Sequence, residues 1–132
     1  MNLANPAKLH PAIQAAASRI VSAMLRYPEL IGGTERFDTI LMRAAKGRMI
    51  SKVGAEGVWL GGVLPCAEFP TGLAIALKIE DGDDLYSRSV VAIDLLRQLG
   101  VLAPDDLANL SPMPIKNRRD DKVGEIVSVL KI

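Results

Sequence analysis

Lys52-Val53-Gly54 is the stretch best equipped for chemistry in these 132 residues. Lys52 closes a strand-like run, Arg48-Met49-Ile50-Ser51-Lys52-Val53. The glycine two residues later removes the side chain that would hold a ligand or a second backbone away. An ammonium group at such a strand end offers positive charge to a substrate carboxylate, or to charge developing on an oxygen. A Ser-x-x-Lys spacing also occurs, at Ser128-Val129-Leu130-Lys131. On a helix that spacing puts both side chains on one face, where the lysine can activate the serine. The segment reads as a terminal strand, in which a three-residue offset sends the two to opposite faces, so the match is chance.

Other reactive side chains are sparse. The single histidine, His10, stands at a helix entrance, where a capping or solvated role is expected. The single cysteine, Cys66, lies in a loop and reads as a small space-filling residue, with no partner for a disulfide. One histidine and one cysteine do not make a zinc site, and no metal or other cofactor is expected. Glu80-Asp81-Gly82-Asp83-Asp84 lacks the spaced ligands and terminal glutamate of a calcium loop, and reads as the acidic N-terminus of a helix. No phosphate-cradling glycine loop and no Gly-x-Ser-x-Gly elbow is present.

The elements around Lys52 follow from periodicity and punctuation. Pro11 fits the first turn of a helix in which Ile13, Ala16, Ala17, Ile20, Met24 and Tyr27 form the apolar face, and Pro28 stops it. Pro28 to Gly33 reads as a turn. Thr34 then caps a second helix with Glu35 in its first turn, Phe37, Ile40, Leu41 and Ala44 inward, and Gly47 at its end. Arg36 and Asp38 flank Phe37 and read as a solvated or locally paired couple. Three strands are predicted, at 48–53, 57–64 and 72–79, with Gly54-Ala55-Glu56-Gly57 reversing the chain between the first two. Glycines inside the second strand predict something pressed against it, and the apolar third strand is expected at the centre of the sheet. A helix over 85–99 ends at Gly100, with Arg88, Ala92, Leu95, Leu96 and Leu99 along one side. A short helical turn at Pro104, an extended stretch through Pro112 and Pro114, and a last strand at 123–132 complete a single α+β domain, an antiparallel sheet flanked by helices.

Hydrophobic residues make up 49% of the chain, enough for a core, while aromatics are only 4% and the net charge is +1. Without a basic block or stacking aromatics, nucleic acid is not an expected partner. No run of about eighteen apolar residues and no leader pattern occurs, so no membrane partner is expected and the reading is cytoplasmic.

The residues filling this order resemble the asparaginase II family, the Rhizobium-type L-asparaginases. The resemblance is carried by Tyr27-Pro28-Glu29-Leu30-Ile31-Gly32-Gly33-Thr34-Glu35-Arg36-Phe37-Asp38-Thr39, by Lys52-Val53-Gly54-Ala55-Glu56-Gly57-Val58, by Gly72-Leu73-Ala74-Ile75-Ala76-Leu77-Lys78-Ile79-Glu80-Asp81-Gly82 and by Val123-Gly124-Glu125-Ile126. These pieces resemble the C-terminal part of the family's longer chains. The resemblance implies a partial serine β-lactamase/glutaminase-like fold and hydrolysis of L-asparagine, or a related small amide, to L-aspartate and ammonia. In that family a Ser-x-x-Lys nucleophile and the cysteines that hold zinc lie upstream of the matching part. Lys52 would then be the second lysine of a Ser-Lys site, as the Lys-Thr-Gly strand is in penicillin-recognising enzymes. Arg36, Asp38, Gly54 and Glu56 would shape that site.

Two readings follow. The chain is a C-terminal asparaginase segment that works with a complementary N-terminal chain, or it is an inactive, self-associating remnant or binding module of the same fold. Activity of the chain alone is left open. A homo-oligomer or the complementary chain is expected to cover the sheet edge and apolar face that a half-domain exposes.

Overall fold

The computed structural model describes residues 5, 7, 9–83, 86–107 and 113–132. Pro11 occupies the first helical position of α1, Pro11–Arg26, and the His10 Nδ1 accepts from the Ala12 amide at 3.3 Å, the capping role expected of it. α1 turns Ala17, Val21 and Met24 inward. Ile13, Ile20 and Tyr27, expected inside, remain 46%, 50% and 44% exposed. A helical period allows neighbouring apolar stripes, and the core takes the one that contains Val21.

Pro28 ends α1, but the segment expected as a turn is a short helix, α2, Pro28–Gly32. Proline's fixed φ suits a first helical turn as well as it stops the preceding one. The next helix, α3, spans Phe37–Ala44 and starts later than the Thr34 cap predicts. Glu35 has φ 58°, which a right-handed helix cannot continue through. The inward residues also differ from the predicted stripe: Asp38, Thr39, Leu41 and Met42 are buried, whereas Ile40 is exposed. The Thr39 hydroxyl proton is shared between the carbonyls of Gly33 at 2.7 Å and Pro28 at 3.1 Å, tying α3 to α2.

The strands β1 (Met49–Val53), β2 (Val58–Val63) and β3 (Leu73–Lys78) fall within a residue of their predicted bounds. β1 and β2 are antiparallel, in register from Met49 opposite Val63 to Val53 opposite Trp59. The sheet order is β1-β2-β3, so β2 is central and β3 lies at an edge, not at the centre as its apolar run predicts. Half-buried Leu73, Ile75 and Leu77 alternate with exposed Ala74, Ala76 and Lys78. Alanine at two outward positions disguises the alternation. Val21, Met24, Met42 and Ile50 form a core cluster, with Leu25, Ile31 and Leu64 packed against it.

The helix α4, Ser87–Gln98, receives its N-terminal capping from Asp83, whose Oδ2 accepts from the Ser87 amide at 2.6 Å. This is the role predicted for the acidic turn. The predicted start at Leu85 lies outside the described residues. Leu95 and Leu99 are only half-buried, while Val90 and Ile93 are fully buried beside Arg88, Ala92 and Leu96. Gly100, at φ 68°, follows the helix, and α5 is the predicted short turn at Pro104–Leu107.

Pro114 lies within a strand, β4 (Met113–Lys116), where the sequence predicts an open connection. β4 pairs antiparallel with β5 (Lys122–Ile126) in a separate two-stranded sheet, and an edge position tolerates proline. The predicted terminal strand therefore ends early. Residues 127–132 form no ladder and are held by the Gln98 side chain, which donates to Leu130 O at 2.8 Å and accepts from the Ile132 amide at 3.1 Å.

The α+β chain divides into two compact units, Met1–Gly54 with Trp59–Ala76, and Ala55–Val58 with Leu77–Ile132. No helix among the described residues is long and apolar enough to cross a membrane.

Candidate functional site

β1 alternates Ser51 inward and Lys52 outward, as a pleated strand must. Lys52 ends in solvent, and its Nζ donates to the carbonyl of Val53 at 2.7 Å. The amide of the same residue donates to Asp38 Oδ2 at 2.9 Å. The peptide group donors and acceptors of Val53 are thus engaged by the two charged residues that the sequence singles out nearby. At the edge away from β2, a carboxylate takes the place of a ladder partner.

Asp38 overturns its predicted surface role. It is 1% exposed, and its Oδ1 accepts from the Ser51 hydroxyl at 2.6 Å. Ser51 Oγ in turn accepts from the indole Nε1 of Trp59 at 2.9 Å. The buried chain Trp59–Ser51–Asp38–Val53 leaves both carboxylate oxygens hydrogen-bonded, which is what a buried charge requires. Phe37 meets the Trp59 ring edge-on, with centroids 6.4 Å apart.

Two glycines make room for this arrangement. A Cβ on Gly32 would stand 2.9 Å from Asp38 Cβ, so α2 closes on the carboxylate only with glycine there. A Cβ on Gly61 would lie 2.5 Å from Trp59 Cη2. The object pressed against the glycine-bearing strand is therefore its own tryptophan, two residues earlier on the same face, and not a neighbouring helix.

The other predicted site residues are distributed less tightly. Arg36 is exposed at the N-cap of α3 and is not paired with Asp38, whose bonds run to Ser51 and Val53. Gly54 follows β1 and is half-buried. Glu56 belongs to the second unit, where it adopts φ 56° and its carbonyl accepts from Lys78 Nζ at 2.5 Å. Gly57, at φ 73°, follows it, and a Cβ there would be 2.9 Å from Ile79 Cβ. Sequence reasoning passed over Ser51 and Trp59. The signals were a serine on the inward phase of β1 and a lone tryptophan whose N–H needs a buried acceptor.

Cys66 is exposed and free, so it does not fill space in a core. Beside it, Glu68 is held below the usual carboxylate range by its own backbone amide, then by the Cys66 side chain, with the charge of Arg48 adding to this. No group of three His, Cys, Asp or Glu side chains placed to hold a metal occurs among the described residues.

The second unit has its own cavity of about 360 Å³, lined by Ser87, Val90, Val91 and residues 126–130. It contains none of the predicted site residues. Nearby, burial pushes the Asp94 carboxyl up, but hydrogen bonds from Ser128, Arg97 and Gln98 and the Arg97 charge outweigh it and hold the group below its ordinary value. Ser128, half of the Ser-x-x-Lys match, is thereby a structural tie on an extended segment, and its oxygen also accepts from the Leu130 amide at 3.1 Å.

Residues 1–128 match the model of a protein family described as L-asparaginase II. No curated protein matches the chain.

Proposed function

The chain belongs to the L-asparaginase II family, and on that premise we propose that it supplies the cationic strand end of an asparaginase-like amidohydrolase site. The observation that carries this reading is the Val53 backbone, whose N–H donates to the buried Asp38 and whose carbonyl accepts from Lys52. A strand end anchored from within and charged on its outer side is suited to receive the carboxylate of a small amino-acid amide such as L-asparagine. The carboxylate of the substrate would replace the Val53 carbonyl as the partner of Lys52 Nζ. Arg36 and Gly54 would shape the same site.

The nucleophile in this reading is the serine of a helical Ser-x-x-Lys segment that lies outside these 132 residues. Its Oγ attacks the side-chain amide carbon while the neighbouring lysine takes the hydroxyl proton. That proton passes to the leaving nitrogen, ammonia departs, and water cleaves the acyl-serine ester to release L-aspartate. Lys52 stabilises the substrate carboxylate or the charge on the tetrahedral oxygen.

The test is ammonia release from L-asparagine by the purified 132-residue chain, alone and mixed with the N-terminal portion of a full-length family member. Activity only in the mixture is the expected result. Activity of the chain alone would overturn the assignment of the nucleophile. Folded protein silent in both arms would replace the reading with the inactive module.

A further inference from the structure

α1 carries a second apolar stripe that the first unit leaves uncovered. Ile13, Ala16, Ile20, Ala23 and Tyr27 are all exposed, and they recur at spacings of three, four, three and four residues. That is the alternation of a coiled-coil seam, distinct from the inward stripe Ala17, Val21 and Met24. Alanine at every second seam position lets another helix approach closely. On the side of the seam away from the core stand Arg19 and Arg26, both exposed, and the helix Pro11–Arg26 contains no Asp or Glu. The Arg26 guanidinium lies 5.4 Å from the centroid of the Tyr27 ring, so one cation borders the apolar seam directly.

The charge pattern selects the occupant. Antiparallel self-pairing of α1 would place like flank against like flank, bringing four arginines together without a carboxylate. A helix of opposite pattern removes that conflict. Going beyond the amidohydrolase reading, we propose that the outer face of α1 docks an amphipathic helix whose apolar seam is bordered by Glu or Asp. Leu or Ala of the partner fills the spaces between Ile13, Ile20 and Tyr27, and its acidic flank lies along Arg19 and Arg26.

The experiment uses the 132-residue protein and two labelled 21-residue heptad peptides of common apolar sequence, one with Glu and one with Lys at all flanking positions. Fluorescence anisotropy should show saturable binding of the Glu peptide, roughly tenfold or more tighter than the Lys peptide at low salt, with the margin shrinking as salt is added. The doubly reversed variant Arg19→Glu/Arg26→Glu changes only exposed side chains and should invert the preference. Ile20→Gln should weaken both peptides without changing the circular dichroism spectrum. Equal binding of the two peptides, no saturable binding, or sedimentation as a dimer that Ile20→Gln dissolves would each overturn the proposal.

Discussion

Asp38 shows how a single buried carboxylate can organise a strand end. At 1% exposure it accepts from the Ser51 hydroxyl and from the Val53 amide. Removing it in Asp38→Ala strands both donors, and we expect a loss of about 3 kcal/mol in stability, read from the urea midpoint at constant m-value. Lys52 behaves in the opposite way. Its side chain is exposed and donates to a neighbouring carbonyl, so Lys52→Ala should leave the urea midpoint within about 0.5 kcal/mol of the parent. In the reconstituted amidohydrolase the same substitution should lower kcat/KM by about ten- to thousandfold, measured as ammonia release. Unchanged kinetics would remove Lys52 from the site. At this scale the sequence is only half legible. Lys-x-Gly declares itself locally, whereas the partners of Asp38 are thirteen and fifteen residues away and become neighbours only when α3 packs on β1.

At the scale of elements, the first three strands are legible almost to the residue because turn glycines bound them, whereas β4 reads as an extended connection and the last strand stops at Ile126. Apart from α2, which reads as a turn, the helices are legible in their presence more than in their faces. The face of α1 was misread because two apolar stripes share it, and the α3 start was obscured by a left-handed Glu35. β2 supplies a sharp test of close packing. Gly61→Ala places a methyl 2.5 Å from the Trp59 ring, and the ring is fully buried with nowhere to retreat, so we expect destabilisation of about 1–3 kcal/mol in urea. α4 supplies a test of charge. Asp94 has a folded pKa below its unfolded value of about 4, so its contribution to stability is fully present above pH 4 and is lost as pH falls through the folded value. Asp94→Asn should therefore flatten the acid limb of the Tm–pH curve below about pH 4. A limb as steep as the parent's would show that Asp94 does not contribute to it.

At the scale of the molecule, the chain passes from one compact unit to the other at Gly54–Ala55, again at Val58–Trp59, and once more at Ala76–Leu77. The second unit therefore depends on a four-residue loan, Ala55–Val58, from the middle of the first unit's sheet hairpin. No cut at one peptide bond separates the two, and a fragment beginning at Leu77 lacks the Gly57 carbonyl that accepts from the Ile79 amide at 3.0 Å. We expect that fragment to unfold at lower urea than its counterpart region in the whole chain, followed by hydrogen exchange. Sequence patterns revealed the α+β class and the family but not this partition, because segment exchange between units depends on pairings across the fold and not on local composition. One further consequence comes from Trp59. It is the only tryptophan, wholly enclosed, and bonded through its ring nitrogen to the serine that holds Asp38. The protein thus contains a native optical probe: its emission should be blue-shifted and resistant to acrylamide quenching when folded, and any substrate or partner chain that disturbs Ser51 should register as a change in that colour without a label.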